Sequence, residues 1–371
     1  MEKKKVLFLI NTLRDGGAEK VLVDILNHID LERFDVELKL ITKRGAFLSR
    51  LRPEIKLSWI HRENSPVWGR IVSRLLPRLS SETLHKLFVH GKYDTEVAFL
   101  EGYATKIIAG APKEVRKIAW VHADLEINDW IAPVFPNHQK HRDCYDKFDR
   151  IVCVSDGVKV AFGRKYGATD TMLTIYNPVD RDTILKKAIE PCPVERNEQV
   201  PLFLAIGRLV EQKSFMRLLH AVKVLCDDGL RFHLNILGKG PDRSMLEKYI
   251  EENDLSSTVS LLGFQPNPYC FMKQADWLVC SSLAEGFSTV ATEATVLGLP
   301  TVTTDCAGMK ELFGENEYGI IVENSEQGLM EGMRRVLCHA ELREQYAKAA
   351  TLRGERFTFK ETLNDIENML Y

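Results

Sequence analysis

Apolar residues along the chain gather into short runs of four to eight positions, and stretches with helical spacing separate many of them. In the first half, strands are predicted at Val6 to Ile10, Asp35 to Ile41, Val97 to Leu100, Ile118 to Val121, Ile151 to Val154 and Leu173 to Tyr176, with a helix over Ala18 to His28 after the first. In the second half they fall at Leu202 to Ile206, Phe232 to Leu237, Val259 to Leu262, Trp277 to Cys280, Thr301 to Thr304 and Gly319 to Val322. Runs that stay apolar instead of alternating suit strands covered on both faces, so the pattern predicts α/β architecture with parallel sheets. The segment NPVDRDTILKKAIEPCPVERNEQV, Asn177 to Val200, is rich in proline and charge and lacks a strand pattern, which marks a boundary between domains. The last stretch, Phe359 to Tyr371, spaces Leu363, Ile366 and Leu370 as one helical face that needs a surface to pack on.

Length supports that division, because 371 residues exceed one ordinary core and favour two domains of similar size. The expected layout is an N-terminal Rossmann-like domain over 1–180, a linker over 181–200, a C-terminal Rossmann-like domain over 201–355 and a crossover helix over 356–371. A balance of 50 basic against 52 acidic residues gives no reason to expect nucleic acid. No stretch reaches the ~18 apolar residues that a membrane-spanning helix needs. The basic start followed by Val6 to Ile10 is too short an apolar run for a secretion signal and reads as the first strand. Eight widely spaced cysteines form no C-x-x-C pair, and free thiols in a reducing compartment are the expectation.

Three constellations could carry chemistry. In AEGFSTVATEATVLGLP, Glu285 falls in the turn after a strand and Glu293 lies inside the next helix, with Ser288 suited to cap that helix. Gly286 gives the turn backbone freedom, and the first amides of the helix could receive an anion, leaving the two carboxylates for hydroxyl groups of the same ligand. After Leu202 to Ile206 come Gly207, Arg208 and Lys213, two cations at the carboxyl end of a parallel strand, where open α/β sheets bind ligands. Gly16 and Gly17 sit between the first strand and first helix, without the G-x-G-x-x-G of a dinucleotide site. Taken singly, each feature is equally open to a bland reading, as a solvated turn or as surface charge.

Together, in order and spacing, these motifs resemble the retaining family-4 (group 1) glycosyltransferases of the GT-B fold, of the bacterial surface-polysaccharide type. The matching residues span nearly the whole chain: Gly16-Gly17-Ala18-Glu19, Val121-His122-Ala123-Asp124, Val154-Ser155-Asp156-Gly157, Asn177-Pro178-Val179-Asp180, Gly207-Arg208-Leu209 with Lys213, Gly238-Lys239-Gly240-Pro241, and the element from Glu285 to Glu293. The resemblance implies two Rossmann-like domains facing across a cleft, with the last helix returning to the first domain. It implies that Arg208 and Lys213 grip the donor diphosphate, that Glu293 bonds the nucleotide ribose, and that Glu285 approaches the donor sugar beside the amides of Phe287, Ser288 and Thr289. Gly16, Gly17, Gly207 and Gly286 belong to the same donor set, His122 points at the sugar from the first domain, and Glu311 faces the nucleotide.

The implied activity is metal-independent hexosyl transfer from a nucleotide-sugar, a UDP-sugar first among the candidates, to a glycan acceptor carried on polyprenyl diphosphate, with retention of configuration. No cofactor beyond that donor is expected. Asp180-Arg181-Asp182 spells a D-x-D but lies in the linker, and His138 and His141 share a helical face without a third ligand, so neither is read as a metal site. Residues 61–92 hold six Lys/Arg against two Glu, interleaved with Val67, Trp68, Ile71, Leu75, Leu76, Leu79, Leu87 and Phe88. That mixture suits either a helical insertion packed on its own domain or a surface meeting anionic lipid, and the resemblance favours a cytoplasmic enzyme held peripherally on the inner face of the membrane. A nucleotide-sugar epimerase of the same fold and a non-catalytic partner subunit are the rival readings.

Overall fold

The computed structural model describes residues 2–371 apart from Asp15, 63–74, Asn128, Pro136 and Ala168. The chain divides into two units, Met1–Pro178 with Lys360–Tyr371, and Val179–Phe359. Each has its own parallel sheet with helices between successive strands.

In the first unit, β1 (Lys4–Ile10), β2 (Phe34–Lys43), β3 (Lys56–Arg62), β4 (Thr95–Ala98), β5 (Arg116–Val121), β6 (Arg150–Cys153) and β7 (Met172–Thr174) lie in the order β3-β2-β1-β4-β5-β6-β7. Val6, Leu7, Phe8, Leu9 and Ile10 of β1 are all fully buried, as a central strand covered on both faces requires. The pattern of the sequence did not reveal β3. It is an edge strand, KLSWIHR, with no buried residue, and among the described residues it pairs with β2 alone. Its polar groups turn to their neighbour: Lys56 pairs with Asp35 and Ser58 donates to Glu37.

In the second unit, β8 (Leu202–Ile206), β9 (His233–Leu237), β10 (Val259–Gly263), β11 (Trp277–Cys280), β12 (Thr301–Thr304) and β13 (Ile320–Val322) lie in the order β10-β9-β8-β11-β12-β13, all parallel. Successive side chains of β8 alternate between two cores: Phe203 and Ala205 pack with Leu218, Val222 and Leu234, whereas Leu204 packs with Tyr269, Phe271 and Leu278.

The structure corrects the expected linker. Residues 181–200 contain the helix Arg181–Ala188, and the unit boundary falls earlier, between Pro178 and Val179. Asp180 caps this helix by accepting from the Thr183 amide at 3.0 Å, while Ile184 and Ala188 are buried in the second core. Two buried positions per eight residues make a narrow apolar face, which the surrounding prolines and charges hide in the sequence. The D-x-D therefore begins with a helix cap.

The closing helix runs Phe359–Met369, and Lys360–Tyr371 belong to the first unit. Ile366 and Leu370 are fully buried, and the Thr95 hydroxyl donates to the Leu370 carbonyl at 2.8 Å. Glu367, itself buried, accepts from the Asp30 amide at 2.9 Å and from the Arg33 guanidinium at 2.6 Å. Hydrogen bonds and apolar packing thus hold the end of the chain to β4 and to the turn before β2.

Candidate functional site

Strand order locates the site in the second unit. The chain leaves β8 toward β9 on one side and later enters β11 on the other, so β8 and β11 flank the switch point beyond whose carboxyl ends open sheets bind ligands. Gly207 and Arg208 follow β8 directly. Gly238, with φ +144°, is pressed so close that a Cβ would lie 1.8 Å from the Gly207 carbonyl oxygen, which only glycine permits. The loop after β8 is fixed by main-chain bonds from Gly207 to Leu237 and from Leu209 to Lys239, both 3.0 Å.

Lys213 ends a short 3-10 turn, Glu211–Lys213, and Ser214 in the left-handed region (φ 50°, ψ 45°) leads into the helix Phe215–Asp227. The loop after β11 is laced to this turn. Leu283 donates its amide to the Gln212 carbonyl at 2.8 Å, the Gln212 amide donates to Ala284 at 2.9 Å, and the Ser281 hydroxyl donates to Lys213 at 2.7 Å. Arg217 spans the Ser281 and Ser282 carbonyls at 2.6–2.9 Å. At the centre, Lys213 Nζ stands 2.5 Å from Glu285 Oε1, and the Ser282 hydroxyl donates to the same oxygen. A small cavity is lined by Ile206, Lys213, Cys280, Ser282, Glu285 and Ser288. Arg208 is exposed, and its guanidinium has no partner among the described residues.

Ser288 caps the helix Thr289–Val296 by accepting from Ala291 at 3.3 Å, as its position in the sequence suggested. Glu293 is buried and accepts from the Tyr269 hydroxyl at 3.1 Å. Phe287 is buried, and Gly308, with φ +78°, lies so near that a Cβ there would meet the Gly286 carbonyl at 2.5 Å. Glu311 is half-buried in the short helix Met309–Phe313, whose carbonyls at Glu311 and Leu312 accept from Arg353 at 2.6 and 3.0 Å. Burial, with the Glu285 charge next, pushes the Cys280 thiol up to about 12, so it stays protonated beside the carboxylate.

The first unit repeats the logic at β1 and β4. Gly16 caps the helix Gly17–His28 after β1, and Glu19 folds back so closely that a Cβ on Gly16 would lie 2.2 Å from its carboxylate. His122 follows β5, its ring centroid 5.0 Å from that of Phe99. Burial pushes its imidazole down to about 3, against the raising influence of the Phe99 carbonyl. Its Nε2 is buried without a partner among the described residues.

Glu101, which the sequence reading passed over, is fully buried at the end of β4. Its Oε1 accepts from the amides of His122 at 2.5 Å and Ala123 at 2.9 Å. Burial raises its carboxyl to about 7, against the lowering pull of those amides and its own. An apolar run ending in Glu-Gly was the only signal, and it is shared by many solvated turns. His138 and His141, in the helix His138–Tyr145, are taken up by structure: His138 Nε2 contacts the Lys165 carbonyl at 3.1 Å, and His141 stacks on Phe135 at 3.9 Å and bonds the Tyr166 hydroxyl at 3.0 Å.

Of the segment expected to meet lipid, 63–74 lies outside the described residues. In the remainder, Leu76 and Leu84 are buried, whereas Leu75 and Leu87 are more than half exposed. No helix among the described residues is long and apolar enough to cross a membrane.

Two all-parallel sheets, each with its loops gathered at a strand-order reversal, are the architecture of a GT-B glycosyltransferase. Anabaena Alr3699/HepE, solved in complex with UDP-glucose, shares this fold at a TM-score of 0.78 over 99% of both chains, at 20% identity. Residues 187–353 match the family described as glycosyl transferases group 1, so the second unit is a group 1 domain and the chain is a glycosyltransferase. Among its relatives, the N-acetylgalactosamine-N,N'-diacetylbacillosaminyl-diphospho-undecaprenol 4-alpha-N-acetylgalactosaminyltransferase of Campylobacter jejuni is 28% identical over 95% of this chain and 96% of its own. The lipopolysaccharide 1,6-galactosyltransferase of Salmonella typhimurium is 27% identical over 55% of this chain and 53% of its own.

Proposed function

We propose that this glycosyltransferase moves a hexose-type sugar from a UDP-sugar to a glycan carried on polyprenyl diphosphate, with retention of configuration and without a metal ion. The observation that carries the reading is the set Arg208, Lys213 and Glu285 at the carboxyl ends of β8 and β11, two cations and a buried carboxylate around the switch point. Breaking the anomeric bond leaves negative charge on the diphosphate and positive charge on the sugar. Fixed cations and the first amides of the helix Thr289–Val296 stabilise the former, and Glu285 the latter. Glu285 is assigned to positioning and charge stabilisation, and a trapped glycosyl adduct on it would overturn that role. The lipid-linked acceptor is supported by the Campylobacter jejuni relative, whose name specifies a diphospho-undecaprenol substrate.

A panel of UDP-, GDP-, ADP- and dTDP-sugars in EDTA, run on wild type and Arg208→Ala, tests this reading. UDP-sugars alone are expected to raise the melting temperature and to be turned over, and the variant to lose both effects. A ligand at a hundred times its Kd stabilises the fold by ~2.7 kcal/mol, enough to see. Turnover by another nucleotide class corrects the donor. Isomerised sugar released without acceptor would establish the epimerase reading, and absence of all binding the partner-subunit reading.

Peripheral attachment to an anionic membrane belongs to the same proposal, supported by exposed Leu75 and Leu87 beside Arg78 and Lys86. Co-sedimentation with phosphatidylglycerol vesicles is expected at low salt and should weaken as salt rises. A protein that stays in the supernatant at low salt would remove this part.

A further inference from the structure

We propose that Glu101 is a positioning residue for His122, fixing the imidazole at the carboxyl end of the first sheet. The proposal rests on the transferase reading, in which His122 faces the donor sugar. The segment from Phe99 to Glu101 holds His122 in two ways. Glu101 Oε1 takes the amides of His122 and Ala123, which sets the main chain just past β5. The Phe99 ring lies against the imidazole at 5.0 Å, and its carbonyl lies within reach of a ring nitrogen. Phe99 is itself tied to β1 by its amide bond to the Leu9 carbonyl at 2.9 Å, so the support sits at the switch point of this sheet.

Gly102, with φ +93°, turns the chain sharply and starts the next helix, a conformation that favours glycine directly after Glu101. A buried carboxylate is an expensive way to satisfy two amides that water or a hydroxyl could serve, and its Oε2 has no partner among the described residues. What the side chain adds is a single fixed acceptor, Oε1, that holds two consecutive amides in one orientation. With one ring nitrogen directed at Phe99, the open Nε2 is left as the group the imidazole can present.

The test uses the full chain, with UDP release from UDP-glucose and UDP-N-acetylgalactosamine and with the histidine ring signals of 15N-labelled protein. Glu101→Asp, one methylene too short to reach both amides, is expected to lower kcat about 10- to 100-fold with donor KM within about twofold. Glu101→Gln, which keeps the accepting oxygen, should recover most of that loss. Adding Glu101→Asp to His122→Ala should cost no more than about another twofold, because the first acts through the second. In the spectra, one fixed ring tautomer is expected for His122 in wild type and Glu101→Gln, and a shifted or exchange-broadened signal in Glu101→Asp. Losses that multiply in the double variant would overturn the proposal, as would a wild-type His122 signal in Glu101→Asp. That spectral outcome decides the matter even if no donor is turned over, in which case the transferase reading fails separately.

Discussion

Lys213→Ala is expected to lower kcat for nucleotide release by about two to three orders of magnitude, the usual loss when one preorganised charge or donor is removed from a developing anion. Its effect on the fold should be far smaller. The Lys213 side chain is about one-fifth exposed and that of Glu285 less than one-tenth, so breaking the pair leaves a carboxylate that keeps only the Ser282 hydroxyl. A fully buried pair broken this way costs about 3–5 kcal/mol, and solvent access to Lys213 brings the expectation to roughly 1–2 kcal/mol. Steady-state kinetics with a melting curve separates the two effects. Lys213→Arg should not rescue fully, because a planar fork cannot occupy the single-point contact that the ammonium makes with Glu285. Glu285→Gln keeps a polar side chain beside Ser282 but loses the ion pair and should cost about tenfold. If Lys213→Ala turned over within tenfold of wild type, the pair would have no part in stabilising the leaving diphosphate.

The pairing of Lys213 with Glu285 also shows where sequence reading stops. Both residues were legible as candidates, Glu285 beside Gly286 after one strand-like run and Lys213 shortly after Gly207-Arg208 at the end of another. Their contact was not, because 72 residues separate them and only the β8 and β11 neighbourhood joins them. Strands buried on both faces, such as β1 and β8, appear as unbroken apolar runs. The edge strand β3 does not, since none of its residues is buried and Lys56 and Ser58 are spent on polar contacts with Asp35 and Glu37. The helix Arg181–Ala188 was hidden for a related reason, a face too narrow to outweigh its own charges and the prolines on either side. Resemblance gave Glu293 an expected place at the nucleotide ribose, yet its hydrogen bond to Tyr269 depends on a helix, Tyr269–Gln274, that carries no motif. Glu101 was hidden most completely. The same Glu-Gly after an apolar run would sit in solvent in most turns, and only the approach of the β5 end makes it a buried acceptor.

That burial gives Glu101→Gln an opposite effect on stability to the one a lost carboxylate usually has. In an unfolded chain Glu101 titrates near 4.5, and in the folded protein near 7. Below about pH 4.5 both states hold the proton and the residue is neutral in the balance. From there to about pH 7 the folded state keeps a proton that the unfolded state has lost, so stability falls as pH rises. Above 7 the penalty is constant, on the order of 3 kcal/mol at most. His122 works from the other side: its folded value near 3 lies below the usual 6.5, so its contribution is complete above pH 6.5 and is lost as pH falls toward 3. His141, pushed by burial down to about 4, adds to that acid-side loss. Glutamine cannot ionise, so Glu101→Gln escapes only the alkaline-side penalty. Its melting temperature should exceed wild type by several degrees at pH 8 and match it at pH 4, since 1 kcal/mol moves a domain of this size by about 2–4 °C. An equal shift at both pH values, or a less stable variant at pH 8, would show that the carboxylate is not held at a cost. A stability gain in Glu101→Gln confined to high pH, joined to slower turnover in Glu101→Asp, would mean that orienting His122 requires the reach and accepting oxygen of this side chain, with its charge carried at a cost to stability.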